Sequence, residues 1–366
     1  MDFYVFTQDY VKLGAASTPT AAIYSEKFQS LGDFELFLPL DETNVTLMKK
    51  ERIVLLNKTK RIAGIIGVIK REKSQDDSPV LHVKGTLCEE YIYRRICWGL
   101  YNKTGKAGAV IYDMITSQVI SPTNPERAIS DITLDASGAT LGPQISFQST
   151  GKNVGENIEA ICQANSLGFR MKYDGTGKQM IFSVYEGVNR TLSQKVVPPC
   201  IFSSMYENIL SSNYTLNSQQ EKNVGLVMGE GEGTARKSIT VGAGQGKNRK
   251  ETLIDARDLQ STDESGNAMS EADYLALLKQ RGNEKMSEFK NAESFECVVN
   301  TNGNIQYDKD YFLGDKVTIF DVELGIQLDA VISEVEHTFN SEGETTFITF
   351  GFGPMSLAQK LKAKVV

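Results

Sequence analysis

Any catalysis by this chain would fall to its carboxylates. It holds 46 Asp and Glu residues but only two histidines, His82 and His337. Close pairs such as Asp255 and Asp258, or Asp308 and Asp310, have the composition of a general acid and a general base. Those roles demand a fixed separation and pKa values pushed apart, and sequence spacing supplies neither. Acids at loop ends ordinarily serve as turn residues or solvated charges. No Ser-His-Asp, Cys-His or Gly-x-Ser-x-Gly arrangement stands out. The five cysteines, Cys88, Cys97, Cys162, Cys200 and Cys297, are widely spaced with no Cys-x-x-Cys pair. That reads as reduced, buried thiols rather than disulfides or a zinc site. Both histidines fall in alternating strand patterns, without metal-ligand spacing. The reading is therefore no catalytic, cofactor-binding or metal-binding residue.

Two glycine clusters invite a phosphate-binding interpretation, Gly229-Glu-Gly-Glu-Gly233 and Gly242-Ala-Gly-Gln-Gly-Lys247. A phosphate loop needs Gly-x-x-x-x-Gly-Lys followed by Ser or Thr, so that backbone amides surround the phosphate and a hydroxyl reaches magnesium. Here Asn248 follows Lys247, the first glycine is misplaced, and Glu230 and Glu232 repel anions. These stretches read as loops at strand ends, and Lys247, Arg249 and Lys250 as a solvated loop or a contact for a neighbouring subunit. The Asn-x-Thr triplets at Asn44, Asn57, Asn102, Asn189 and Asn213 match a glycosylation acceptor, but no secretory leader accompanies them.

The elements that would position any site are mostly strands. Alternating apolar residues predict strands over Asp2–Phe6, Thr20–Lys27, Leu31–Leu40, Arg52–Asn57, Arg61–Arg71 and Val80–Gly85, with Pro39 ending the third because proline lacks a ladder donor. Glu89 to Trp98 reads as a helical or irregular connector. The middle is mixed. Helices are expected over Ala107–Ile120, ended near Pro122, and over Asn153–Leu167, stopped by Gly168. A hairpin follows around Asp174-Gly-Thr-Gly177, and Pro198 and Pro199 mark a boundary. Strands return over Asn208–Asn217, Lys222–Gly229 and Arg236–Gly242. Ser270 then caps the best helix in the chain, with Asp273 at the capping-box position. The last block, Phe295 to Gly353, holds the Leu313-Gly-Asp315 corner and strands through Tyr311–Ile319, Gly325–Phe339 and Thr345–Gly351.

With 366 residues, 40% hydrophobic and 23% charged, the composition is that of an ordinary globular protein of two to three domains. A net charge of −7 argues against a nucleic-acid binder held by phosphate contacts. The start, Met1 to Phe6, lacks the basic and apolar regions of a leader. Its longest apolar run, Ile62 to Ile69, is too short to span a bilayer. Synthesis in a cytosol without stable membrane insertion is expected.

The order of blocks resembles the tail-tip and baseplate hub proteins of bacteriophages, including the N-terminal hub regions of tail-associated lysins. The pieces that carry the resemblance are Leu31-Gly-Asp-Phe-Glu-Leu-Phe-Leu-Pro-Leu40, Leu87-Cys-Glu-Glu-Tyr-Ile-Tyr-Arg-Arg-Ile96, Phe182-Ser-Val-Tyr-Glu-Gly-Val-Asn-Arg-Thr191, Ile201-Phe-Ser, Glu221-Lys-Asn-Val224 and the terminal Leu-Gly-Asp to Phe-Gly unit. The resemblance implies an α+β, mainly β fold with two tube-type β-barrels, at residues 1–100 and 196–366. It places an α/β insert at 101–195 and one prominent helix at 270–290. It further implies a homotrimeric ring joining a sixfold tail tube to a threefold spike, needle or fibre, located in a phage tail or a tail-like particle and enclosing part of a channel. Partners would be the tail tube or distal tail protein and the spike or fibre protein, with no sequence-specific nucleic-acid binding. Unlike the tail-associated lysins, the chain reaches Lys360-Leu-Lys-Ala-Lys-Val-Val366 without an appended enzyme, so no enzyme activity is expected. The competing readings are a cell-wall hydrolase and a receptor- or carbohydrate-binding β-module. Against the latter, the single tryptophan, Trp98, sits in the connector.

Overall fold

The computed structural model describes residues 3–16, 19–73, 79–219, 221–233, 236–262, 267–289, 292–341 and 343–351. The first block folds as β1 (Tyr4–Phe6), β2 (Lys12–Ala15), β3 (Ala21–Lys27), β4 (Asp33–Pro39), α1 (Glu42–Leu47), β5 (Ile53–Asn57), β6 (Ile62–Glu72) and β7 (Val80–Leu87). The middle follows as α2 (Glu90–Tyr93), β8 (Leu100–Lys106), α3 (Ala107–Ile115), β9 (Ile132–Leu134), β10 (Gln144–Thr150), α4 (Val154–Asn165), β11 (Gly168–Asp174) and β12 (Gln179–Tyr185). The last part comprises β13 (Asn189–Arg190), β14 (Ile201–Ser203), β15 (Ile209–Asn217), β16 (Val224–Met228), β17 (Ser238–Gly242), β18 (Glu251–Asp255), α5 (Glu271–Glu288), β19 (Ala292–Val299), β20 (Lys316–Asp321), β21 (Ile326–Asn340) and β22 (Gly343–Gly351).

One 14-stranded sheet threads both ends of the chain, in the order β15-β19-β22-β21-β3-β4-β7-β6-β5-β1-β2, with β20 joining β21 to β13 and β14. The branch lies on β21, whose 15 residues serve two neighbours along one edge. Its first half, Ile326–Val331, pairs antiparallel with β20, and its second half, Glu334–Phe339, with β3. The opposite edge is covered by β22. The pairing order ends at β15 and β2. Among the described residues no strand pair joins those two ends and no closed barrel is found; the fold is mainly β.

Apolar residues sort into four cores. Phe3, Tyr24, Phe34, Leu36, Leu38 and Ile66 fill the first. The second gathers α3, α4 and the β11–β12 hairpin, with Val110, Ile111, Ile158, Ile161, Phe169 and Phe182 at its centre. Ala63 and Ile65 of β6 point into this second core, whereas Ile62 and Ile66 belong to the first. The first part of that apolar run, Ile62–Ile66, is thus buried on both faces, which removes the need for alternation there, whereas Val68 and Ile69 are exposed. Phe202, Phe295, Tyr311, Ile332 and Phe350 form the third core. A smaller fourth lies between α5 and the β17-β16-β18 sheet. The ring of Phe34 fits over two glycines, and a Cβ on Gly85 would lie 2.4 Å from it and 2.0 Å from the Ile65 carbonyl.

Local signals hold in most places. Ser270 accepts from the Asp273 amide at 3.2 Å, as the capping pattern requires. Two details differ. The helix expected to run to Ile120 is α-helical only to Ile115 and then relaxes into a π turn, Thr116–Ile120. The left-handed residue ending α4 is Ser166, at φ 55°, and not Gly168. Gly168 instead opens β11, where a Cβ would meet the Phe28 ring at 2.1 Å. Strands β2, β8, β9, β10 and β18 carry too little alternation to stand out in sequence. The terminal Phe352 to Val366, including the lysine-rich end, lies outside the described residues.

Candidate functional site: the seam between the chain ends

Sequence pattern places Glu26 at the end of β3 and Lys60 in the β5–β6 turn, and neither position signals function. The β3–β21 pairing brings them to the third core. Lys60 Nζ lies 2.9 Å from Glu26 Oε1 and 2.9 Å from Asp308 Oδ2, and stands 4.0 Å above the Tyr307 ring. His337 stacks on its direct cross-strand partner Tyr24, with ring centroids 4.8 Å apart. Its ring nitrogens are 3.7 Å from Glu26 and 3.5 Å from Glu344, within ion-pair range but too long for good hydrogen bonds. Burial acts to lower the imidazole pKa, yet the facing Glu26 and Glu344 carboxylates raise it overall. Burial likewise acts to raise Glu26, and His337 with Lys60 hold it below the usual carboxylate range.

Beside this cluster is a cavity of about 450 Å³ lined from all three blocks, among them Glu26, Lys60, Glu89, Arg170, Tyr307 and Asp315. Glu89 precedes α2 and is buried. One carboxyl oxygen accepts the Met171 amide at 2.7 Å, and the other has no hydrogen-bond partner. Burial pushes its pKa up to about 7, against the Met171 hydrogen bond. On the far wall, the Leu-Gly-Asp corner closes around Asp315, 2% exposed. Asp315 accepts from Val188 N at 2.7 Å, Phe312 N at 3.0 Å and Arg190 Nε at 2.6 Å. The Gly314 φ of 94° allows the turn.

Two carboxylates with oppositely displaced pKa values, Glu26 and Glu89, are the composition of an acid and base set. Glu26, however, is engaged by Lys60 and faces His337, so its lone pairs are committed to holding β3, β21 and the β5–β6 turn together. The arrangement functions as a joint. Nothing in the sequence marked Glu89, which reads as one of two surface acids after Cys88. Its burial follows from β11 packing over α2.

The residues with candidate chemistry in the sequence are not brought together. Asp255 is clamped by Arg257 at 2.6 Å and Arg236 at 2.8 Å, while Asp258 is paired with Arg281 at 2.8 Å and Lys152 at 3.0 Å. The Arg257 and Arg236 hydrogen bonds hold Asp255 well below the usual carboxylate range. Asp310 accepts from the Gln306 amide at 2.8 Å, a turn role. His82 lies between Glu35 and Glu72, 2.9 Å from each. All five cysteines are buried and unpaired. Among the described residues no group of three or more His, Cys, Asp or Glu is arranged to hold a metal ion. The glycine clusters are turns, Arg249 pairing with Glu251 and Lys250 with Glu221. No helix among the described residues is long and apolar enough to cross a membrane.

Comparison with solved structures gives the same fold in three tail proteins. The tail protein from Neisseria meningitidis MC58 superimposes with a TM-score of 0.57 at 12% identity, covering 96% of this chain and 97% of that one. The prophage tail protein gp18 from Listeria monocytogenes EGD-e gives 0.57 at 10% identity, covering 100% and 99%. The 43 kDa tail protein of prophage MuSo2 from Shewanella oneidensis gives 0.57 at 10% identity, covering 96% and 98%. No curated protein matches the sequence. A family model matches residues 2–352, and the chain therefore belongs to the Siphovirus ReqiPepy6 Gp37-like protein family, with the fold of bacteriophage tail proteins.

Proposed function

We propose that this protein is a structural component of a phage tail, serving at the tail tip or baseplate as a hub. Three copies form a ring between the sixfold tube, or a distal tail protein, and a threefold spike or fibre, and line part of the channel. The observation that carries this reading is the open sheet. Its terminal strands expose apolar side chains beside edges that no strand covers among the described residues, Leu210 and Leu216 on β15, and Leu13 with the adjoining Val11 at β2. A free edge of that kind promotes association unless a neighbour covers it. Heterologous pairing of the two ends between copies would close a ring. Residues 1–100 and 196–366 then act as two tube units around the first and third cores, with 101–195 as the insert. The recurrence of Leu-Gly-Asp before β4 and before β20 supports such a duplication.

The test is the solution mass of the protein, alone and mixed with its tail-tube protein. A trimer in either condition is expected, and Leu216→Lys should weaken it without changing the monomer fold. A monomer that ignores the tube protein would overturn the reading. The Glu89 cavity gives the hydrolase alternative its one foothold. Turnover of purified cell wall that Glu89→Gln abolishes would establish it.

A further inference from the structure

Trp98 is the only tryptophan, and it is 69% exposed. Its indole offers an apolar plane with a hydrogen-bonding N–H at its edge. It opens a cavity of about 390 Å³ whose other walls are Ser117, Gln118, Thr123, Asn124 and Arg127. Every wall besides the indole is therefore a hydrogen-bonding side chain, and none is a carboxylate.

The backbone holds this set in place in an unusual way. Ser117 and Gln118 sit on the π turn Thr116–Ile120, a conformation rare in proteins and frequent at functional sites. The Gln118 carbonyl oxygen accepts the Trp98 amide at 2.9 Å, which leaves its NH2 group as a donor. Asn124 caps the short turn Pro125–Arg127 through its side-chain oxygen, so its NH2 group also remains. The Arg127 guanidinium lies 5.0 Å from the indole ring and donates to the Ile96 carbonyl at 2.8 Å. The neighbouring Arg95 donates to the carbonyls of Arg127 and Arg94. Among the described residues no carboxylate lies within ion-pair distance of Arg127, the one charged group in the wall of this cavity.

We propose that this cavity binds a pyranose saccharide carrying an acidic substituent. The Arg127 guanidinium lies over one face of the indole, and the apolar face of the sugar stacks on the other. Its hydroxyls meet the Gln118 and Asn124 amides and the Ser117 and Thr123 hydroxyls, and its acidic group meets Arg127. The aromatic plane supplies affinity that tolerates water on the open side, and the amides supply orientation. The assignment does not depend on the hub reading, because the isolated chain contains the whole site.

The lone tryptophan is its own reporter. Titration of the purified protein with a hyaluronan tetrasaccharide, followed by tryptophan emission, is expected to give a saturable change. Neutral chitotetraose should bind about tenfold or more weakly, the loss of one charge-assisted hydrogen bond. By calorimetry, Trp98→Phe should retain binding and Trp98→Ala abolish it. Gln118→Ala and Arg127→Met should each weaken it, with an unchanged unfolding midpoint for the exposed-site variants. Equal affinity for the two oligosaccharides would overturn the acidic specificity. A response matched by sodium acetate at the same ionic strength, or untouched by Gln118→Ala and Arg127→Met, would overturn the site.

Discussion

His82 and His337 stand in closely similar settings on β7 and β21, two strands of the same sheet with only β3 and β4 between them. Each is buried and stacks on its direct cross-strand partner, Phe37 at 4.2 Å for His82 and Tyr24 at 4.8 Å for His337. Each has two glutamates at its ring nitrogens. Around His82 both contacts are 2.9 Å hydrogen bonds, from Glu35 on the adjoining β4 and Glu72 on the adjoining β6. Around His337 the glutamates stand back at 3.7 and 3.5 Å, and Lys60 enters from a turn remote in sequence. The first cluster is made within one block, by the β4–β7 and β6–β7 pairs, both of which lie inside residues 33–87. The second must be completed by residues from both ends of the chain. The lesson is that a polar cluster within one block can close its geometry tightly, whereas this one, built at a seam, keeps longer contacts.

The sharpest test of that difference is to damage each side separately. On the His82 side, Phe34→Ala removes the ring packed over Gly64 and Gly85 and should cost about 3–5 kcal/mol in denaturant unfolding. Removing Arg190 at the seam should cost as much, about 3–5 kcal/mol, because Asp315 is left buried with an unbalanced charge. If Arg190→Ala instead costs less than a surface change, the seam is not a structural joint.

A smaller effect with a distinctive pH signature is expected at Glu89. Its folded pKa of about 7 lies above the ordinary 4.5, so its contribution to stability is intact below pH 4.5 and lost as pH rises through 7. Glu89→Gln keeps the acceptor for the Met171 amide and should stabilise the protein by about 1–3 kcal/mol at pH 8, with little change at pH 4. Equal stabilisation at both values would refute the assignment.

The smallest expected effect concerns His337. Its folded pKa is raised above 6.5, so the charged imidazole stabilises below that value and the gain fades as pH climbs through the folded pKa. The lowered Glu26 and Glu344 act in the opposite sense, their contribution being present above 4.5 and lost as pH falls through the folded values. The seam should thus be most stable between roughly pH 4.5 and 6.5. His337→Gln should flatten the alkaline side of that profile and cost about 1 kcal/mol at pH 6. A profile whose alkaline side is unchanged by the substitution would show that the slack geometry has no energetic consequence.

Local patterns made much of the fold legible. Strand periodicity placed the hairpins of the first block, the α3 and α4 stripes matched buried faces, and Ser270 with Asp273 marked the start of α5. The family resemblance was carried by short runs such as Leu31 to Leu40. The candidate site was far less readable. Glu26, Lys60 and Glu89 look like surface charges, because charge and turn chemistry report only on the neighbours a residue has along the chain. Trp98 was placed in a connector, and the Gln118 side chain on the π turn accepts its backbone amide from twenty residues away.

The amino-acid sequence by itself determined the mainly β character and the Ser270 cap of α5, which rest on propensity and periodicity acting over a few residues, and its short runs such as Leu31 to Leu40 carried the resemblance to tail proteins. Tertiary structure alone decided that β21 serves β20 and β3 in succession, that the sheet stays open at β15 and β2, and that Glu89 is buried with one oxygen unpaired. Each of those depends on which distant strand lands beside which. That choice is set by the competition among four cores for the same apolar surface, and no local segment encodes it.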